Sequence, residues 1–591
     1  MTLTSSRLPR RIPAAHGRAW GRLAWGAGLS AVALVAFFSA APLLLSGEFV
    51  RERVVAHLAN ATGATVRVSR SHVALYPRPR VVMENVRLGA THLGGAEARV
   101  DRLEVDVALL PALGGRIVPI ALRAERPHIL LRHDARSPQA VLPTSPLPWP
   151  NLAIRDGRVD WQSRGRTIRV TAVDATISAA GRGATLAGSA VWNGEPVAFE
   201  TSTRDLAALA SRGTGARVTV TSNPLSFAFD GTLDLPAGQA TGRTVLETKS
   251  MERAVEWLGL AHDAPAVPFS LRGNATANAA EAAFRKAALR VGDVEADGSL
   301  TVERRSSRVV VGGTLAFGNV AVPDVSVFHV LSAPGDARTD LRLPHLTALD
   351  LDLRLSAARL DVAGTRLDEV AATLRTGAND ATLTIGDAVV GGGHAQGRLR
   401  FQTVRGDTKG TVTLAAKDVD LAALSIPALD GSLRPTGRGD ATLVLSARGR
   451  STEAMLASLA GRGSVAVRSG SLQGFDLGAA ARATVMGALP KQDAVWNGAT
   501  PFQHMSAAFR LRDGVAALHD LQLTDDRLAA RLRGRIDLVR GAVALRGDLT
   551  SARERAVFRS QGGFFVGGTL LTPLLVPIDA IEPPPETHRS G

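Results

Sequence analysis

Along most of this chain, apolar and polar residues alternate one by one. In LDLDLRL, Leu349, Leu351, Leu353 and Leu355 fall on one side of an extended backbone, with Asp350, Asp352 and Arg354 on the other. RVTVT (217–221), TLTIG (382–386), TVTL (411–414) and GRIDL (534–538) repeat the pattern. A period of two marks a strand with one apolar and one wet face, and such strands belong to antiparallel sheets. Asp-Gly pairs beginning at Asp156, Asp230, Asp297, Asp430 and Asp513 stand beside alternating stretches and predict turns. Helical spacing is confined to MERAVEWLGL (251–260), STEAMLASLAG (451–461), GAAARATVMGA (478–488) and the earlier EFVRERVVAHLANATG. In the last of these Phe49, Val50, Val54 and Leu58 share a stripe, which fits a short helix lying on a membrane or against the first strands. No strict repeat of 20–50 residues emerges, so an open or curled sheet of many strands fits better than a solenoid or propeller.

One stretch breaks the pattern altogether. Between Arg22 and Glu48 runs LAWGAGLSAVALVAFFSAAPLLLSG, which has no charge. It is long enough to cross a hydrocarbon core of ~30 Å. Arg7, Arg10, Arg11, Arg18 and Arg22 precede it, whereas Glu48, Arg51, Glu52 and Arg53 after it cancel. That asymmetry predicts a cytoplasmic N-terminus (1–22), a membrane anchor (23–46) and the rest of the chain beyond the membrane. A cleaved signal peptide is the rival, but its best small-residue pair, Ser39 and Ala41, is followed by Pro42, and the apolar run continues through Leu45.

Composition narrows the chemistry. The chain has 591 residues, 45% of them hydrophobic and only 4% aromatic, so its apolar surface is mostly Ala, Val and Leu. It has no Cys, which excludes disulfides, thiol catalysis and thiolate metal sites. The net charge of +15 raises a nucleic-acid reading. The Arg residues, however, are scattered among alternating stretches, which suits wet strand faces or anionic lipid headgroups better. SPQAVLPTSPLPWP (137–150) reads as a loop or linker, since its five prolines exclude a paired strand. A weaker break falls near Pro334–Pro344.

Catalytic signatures are missing. There is no His-Glu and no Gly-Lys dipeptide, hence no HExxH helix and no Walker-type loop, and GxSxG is absent. The 13 His are isolated. Asp525 and Asp526 are adjacent in a predicted turn. Arg438-Gly439-Asp440 reads as a turn before the strand ATLVLSA, and the acceptor sequences at Asn60 and Asn274 fall in a helix end and a turn. No catalytic, cofactor-binding or metal-binding residue is expected, and neither enzyme activity nor nucleic-acid binding.

GRGSVAVRSGSLQGFDL (461–477) has the spacing of a dinucleotide loop at Gly461, Gly463 and Ala466, but the order of elements is reversed. A helix capped by Ser451, with Glu453 in its first turn and Met455 and Leu459 as its stripe, precedes the glycines, and Gly461 fits as its stop. A strand follows, with Val465 and Val467 on one side and Ala466 and Arg468 on the other. Ser469-Gly470 then reads as a hairpin turn.

These elements carry a resemblance. GRGDATLVLSARG (437–449), the short helix and GSVAVRSGSLQGFDLGAAAR lead into residues 500–549 and the closing FFVGGTLLTPLLVPIDA. The order resembles the C-terminal region of the AsmA family of bacterial envelope proteins. Gly470, Gly474, Asp476 and Leu477 fill a first family phrase, with Ser469 in place of the usual Asp or Asn. Asp513, Gly514, Gly534, Ile536, Asp537 and Leu538 fill a second, and Gly568, Thr569, Leu570 and Pro573 a third. ATGATVRVSRSHVALYPRPRVVMENVRLG (61–89) resembles the family's N-terminal stretch, which follows an anchor and a short helix.

The resemblance implies a mainly β protein: an N-terminal transmembrane helix, then an elongated, curled, largely antiparallel, groove-like sheet with a few short helices. The domain reading is 1–22 cytoplasmic, 23–46 anchor, 47–136 N-terminal AsmA-like, 137–150 linker, 151–340 middle β region, 341–581 C-terminal AsmA-like, and 582–591 tail. It further implies an inner-membrane protein with its bulk in the periplasm, carrying phospholipid acyl chains along an apolar groove and supporting outer-membrane biogenesis. An assembly factor influencing outer-membrane protein targeting and insertion, with a simply packed sheet, is the alternative; an envelope enzyme with an unseen site is the third reading. The candidate groove face is Leu349, Leu351, Leu353, Leu355, Val465 and Val467. An open, continuous apolar face favours the conduit, and a helix-covered one the scaffold.

Overall fold

The computed structural model describes most of residues 65–322 and 350–578, with short breaks, and a few positions between 52 and 59. The predicted anchor at 23–46, the Pro-rich segment 137–150, the break near Pro334–Pro344, the tail 582–591 and the candidate residue Leu349 lie outside the described residues. The described part is mainly β, with 29 strands and a few short helices. Two compact units divide it. One holds the chain up to Asn223 together with Ala228–Gly238; the other holds Pro224–Phe227 and the chain from Gln239 on.

The strands of the first unit are Thr65–Arg67 (β1), Arg70–Ala74 (β2), Arg80–Gly89 (β3), Ala96–Val107 (β4) and Pro119–His133 (β5). Asn151–Ser163 (β6), Arg166–Ala180 (β7), Gly183–Trp192 (β8), Glu195–Thr203 (β9) and Thr214–Ser222 (β10) follow. Leu206–Leu209 (α1) sits before β10, and Ser226–Asp234 (β11) spans the division between the units. Both β1 and β2 pair with β3, and from β3 to β10 each strand pairs with the next. Val54, on a helical position ahead of β1, is buried with Val81, Met83, Val86 and Leu103. Val54 of the early amphipathic stripe therefore packs on the first strands, while Phe49, Val50 and Leu58 lie outside the described residues.

The second unit begins with Gln239–Thr248 (β12), Met251–Trp257 (α2), Phe269–Ala277 (β13), Glu281–Val291 (β14), Val294–Arg305 (β15) and Arg308–Val322 (β16). Asp350–Val362 (β17), Thr365–Thr376 (β18), Asp380–Val390 (β19), Gly393–Val404 (β20) and Asp407–Asp420 (β21) continue it. Then come Arg434–Gly449 (β22), Thr452–Ala457 (α3), Ala460–Gln473 (β23), Leu477–Met486 (α4) and Gln492–Trp496 (α5). Ala499–Arg512 (β24), Val515–Thr524 (β25), Leu528–Asp537 (β26), Ala542–Ser551 (β27), Ser560–Gly568 (β28) and Pro573–Pro577 (β29) close the ladder. Each strand pairs with the next from β12 to β29, and among the described residues no pairing joins the two ends. The sheet is mixed rather than wholly antiparallel. β5 with β6 and β16 with β17 run parallel, and the connections between these partners contain the two breaks the sequence suggested, 137–150 and the one near Pro334–Pro344. Parallel partners need a long return connection, so the interruptions fall where one is required.

Several local expectations change. Asp513-Gly514 is a two-residue turn between Arg512 and Val515, both with positive φ (51° and 73°), as a tight hairpin demands. Asp156, Asp230 and Asp297, however, lie inside β6, β11 and β15, and Asp430 lies outside the described residues. Asp156 has φ 50° at a register shift, where Asp174 on β7 accepts its N–H at 3.1 Å. Ser469-Gly470 is no hairpin either: Ser469 (φ 47°) is an extra residue within β23, which runs on to Gln473. α3 ends before Ser458, so Gly461 belongs to β23 rather than stopping the helix. Arg438-Gly439-Asp440 lies within β22, where it supports the bulge at Asp418 (φ 52°) on β21. Arg438 donates to the Asp418 carboxylate at 2.9 Å, and Asp440 accepts the Asp418 N–H at 2.9 Å. Asn274, too, lies in a strand, β13.

Candidate functional site

Residues directly opposite on paired strands project from the same face of a sheet, so the registers decide which apolar side chains meet. In the second unit one row runs Leu315, Leu355, Ala372, Ile385, Gly397, Leu414, Leu443, Gly463, Phe509, Leu518, Gly534, Leu545, Val566 and Leu575, each the partner of the one before. A second row beside it runs Leu353, Leu374, Leu383, Leu399, Val412, Leu445, Gly461, Leu511, Ala516, Ile536 and Val543. Neither row contains a polar residue. The opposite face carries Thr382, Thr384, Arg398, Arg400, Thr411 and Thr413 over the same strands, and it is tied by ion pairs such as Arg375 with Asp352 at 3.1 Å. In the first unit, Val105, Leu122, Leu152, Ile177 and Leu186 form a comparable row across β4 to β8.

The stripe of the second unit has two regimes. From β18 to β22, Leu383, Ile385, Leu399, Val412, Leu443 and Leu445 are only half-buried, and Leu414 is 38% exposed. Solvent reaches a continuous run of aliphatic side chains there. From β23 onward the same face is covered by α4 and α5. Val467, Phe475, Leu477, Ala480, Val495, Met505, Leu549, Phe564 and Leu575 form one buried cluster. The cover is held by specific contacts. Asp476 caps α4 by accepting the Ala479 N–H at 2.8 Å, a stop-and-start the first family phrase places well. Thr500 donates to the Phe475 carbonyl at 2.6 Å and accepts the Leu477 N–H at 2.8 Å. Gln492 of α5 both donates to and accepts from the Leu575 backbone at 3.0 Å, occupying part of the β29 edge.

Among the candidate residues, Leu351, Leu353 and Leu355 lie on the apolar face and pack with Leu271, Leu300 and Leu315. Val465 and Val467 lie on the same face, but in the helix-covered part, where Val467 has no exposure. The most accessible stretch, β19 to β22, contributed no residue to the candidate set. Its alternations TLTI and TVTL identify strands, but their register against neighbours is invisible until they are paired.

Charge is arranged on the wet face. Asp160 on β6 is buried among His128 (Nε2 at 2.8 Å), Arg158 and Arg169 (Nε at 3.0 Å each). Burial pushes its carboxyl up, but the hydrogen bonds from those three side chains outweigh it and bring the pKa down to about 2. Asp350, at the start of β17, accepts from Arg308 Nε at 2.9 Å, and that bond holds its carboxyl below the usual range. Among the described residues no cluster of three or more His, Asp or Glu is placed to hold a metal ion, and no helix is long and apolar enough to cross a membrane.

A ladder that displays one unbroken aliphatic face opposite a salt-bridged one defines a class of protein that offers a long apolar surface. Residues 336–521 match the model of the AsmA family. That region, which holds the exposed part of the stripe, is similar to the AsmA family, in keeping with the phrases around 437–477 and 513–514. The N-terminal stretch 61–89 and the closing phrase at 568–573 lie outside the matched residues. No curated protein matches the chain.

Proposed function

We propose that this is a non-enzymatic envelope protein whose apolar sheet face forms a groove for phospholipid acyl chains and passes them along the ladder in support of outer-membrane biogenesis. It is held in the bacterial inner membrane by residues 23–46, with its bulk in the periplasm. The observation that carries the reading is the half-exposed aliphatic rows from β18 to β22, which are continuous from strand to strand and contain no polar side chain. An acyl chain laid along them gains ~0.8 kcal/mol per CH₂ buried. With no charged or polar side chain in those rows, binding is loose and indifferent to the headgroup, which suits transfer more than storage.

The helix-covered end, β23 to β29, favours a second reading: a packed β domain that recruits envelope partners and influences outer-membrane protein targeting. A photo-crosslinking amino acid separates the two. Placed in the full chain at Leu383, Leu399 or Leu443, it should capture phospholipid in cells. At Thr384 or Arg400, on the opposite face, it should not. Equal capture from both faces, or none from the apolar one, sinks the groove and leaves the scaffold.

A further inference from the structure

The geometry points to a membrane-seating tip at the C-terminal end of α4: Val485, Met486 and Leu489 enter the interface of an anionic bilayer while Arg482 and Lys491 meet its headgroups. α4 turns Leu477, Ala480, Ala481, Ala483 and Thr484 toward the sheet. Its far end does the opposite. Val485 is 67% exposed, Met486 75% and Leu489 70%, the three most exposed large apolar residues among those described. A helix that has a packed face has no folding reason to carry Val485 and Met486 outward, with Leu489 equally exposed just past its end.

Charge says what covers them. Arg482 lies three and four residues before Val485 and Met486, hence on the same side of the helix, and both it and Lys491 are exposed. No acidic residue occurs between Asp476 and Asp493, and Asp476 is committed to the helix cap. The patch also lacks aromatics, which dominate the centres of protein interfaces. Gly487, left-handed at φ 60°, ends the helix and makes the feature a protruding tip rather than a flat docking face. Protruding aliphatics on a segment, 477–492, whose only charges are Arg482 and Lys491 match the headgroup and acyl boundary of an anionic membrane. The seat sits on β28, at the covered end of the stripe, and it stands whether or not the stripe carries lipid.

The absence of cysteine makes the test direct. The full chain, held in nanodiscs of neutral phosphatidylcholine, receives an environment-sensitive fluorophore at Met486→Cys, or at Asp526→Cys as a control on a polar hairpin tip. Vesicles of phosphatidylcholine and phosphatidylglycerol carrying acyl-chain nitroxides are then added. The Met486 label should shift to the blue and be quenched, and the Asp526 label should not. Leu489→Asp should weaken vesicle binding about tenfold or more. Arg482→Ala combined with Lys491→Ala should abolish the preference for anionic over neutral vesicles. The proposal is overturned if the Met486 label stays as accessible to aqueous iodide as the Asp526 label. It is equally overturned if protection follows protein concentration without vesicles, because a second copy then covers the tip.

Discussion

Gly463 faces Phe509 across β23 and β24, and Gly547 faces Phe564 across β27 and β28. In each pair a Cβ on the glycine would overlap the ring. A glycine in mid-strand ordinarily weakens it by about 0.5–1 kcal/mol, but here the ring lies over the bare backbone and keeps the apolar row free of gaps. Gly547→Ala should therefore destabilise the chain by about 1–3 kcal/mol, as overpacking does, read as a lower urea midpoint at unchanged slope. Combining it with Phe564→Leu should return part of that loss, and a neutral Gly547→Ala would show that the close approach constrains nothing. These residues also explain a limit of the sequence reading. Glycine marks turns often enough that Gly461 and Ser469-Gly470 read as a helix stop and a hairpin. A glycine required by a ring on the next strand leaves no local signal, because its cause lies tens of residues away.

At the scale of elements, the two parallel pairings share a device. Each sets an Asp on the later strand against a hydrogen-bonding side chain on the earlier one: Asp160 with His128 between β6 and β5, and Asp350 with Arg308 between β17 and β16. Parallel pairs are slightly weaker per residue than antiparallel ones, and a charge-assisted tie fixes their register. Asp160 also reaches Arg169 on β7, so one carboxylate joins three strands. Its folded pKa, about 2, lies below its unfolded value. Its stabilising contribution is therefore fully present above the ordinary carboxylate pKa and is lost as pH falls toward 2. Asp160→Asn should lower the urea midpoint at pH 7, and the gap from wild type should close between about pH 4 and pH 2. A gap that stays constant through that window would mean the ion pairs do not stabilise the fold. The interruptions at both parallel joints were legible in the sequence from their prolines. The direction of pairing was not, because alternation with period two looks the same in either orientation.

For the molecule as a whole, the second unit is a ladder in which nearly every strand touches only its two neighbours, so stability is local and additive along it. The helix-covered strands β23 to β28 contribute a sealed core, whereas β18 to β22 rest on half-exposed rows. Hydrogen exchange followed by mass spectrometry should show the amides of β18 to β22 exchanging faster than those of β23 to β28. Uniform protection across the ladder would mean that something covers the open rows. The existence of strands, the two faces of each and the three short helices were legible from periodicity and capping. Neither the continuity of the stripe nor the boundary of its covered part could be read, since both depend on registers set between segments distant in sequence.

The parallel pairing of β16 with β17 also decides which ends of the strands carry the long insertions. In an antiparallel ladder the connections fall alternately on two rims, and a single parallel step exchanges the rims for everything that follows. Because of it, the connection holding α2, after β12, shares a rim with the one holding α4 and α5, after β23. The connection after β21 falls there as well. The other rim has tight turns, with α3 its main elaboration. One misdirected strand thus gives the second unit a dressed end and a bare end, and it is the dressed end that carries Val485, Met486 and Leu489.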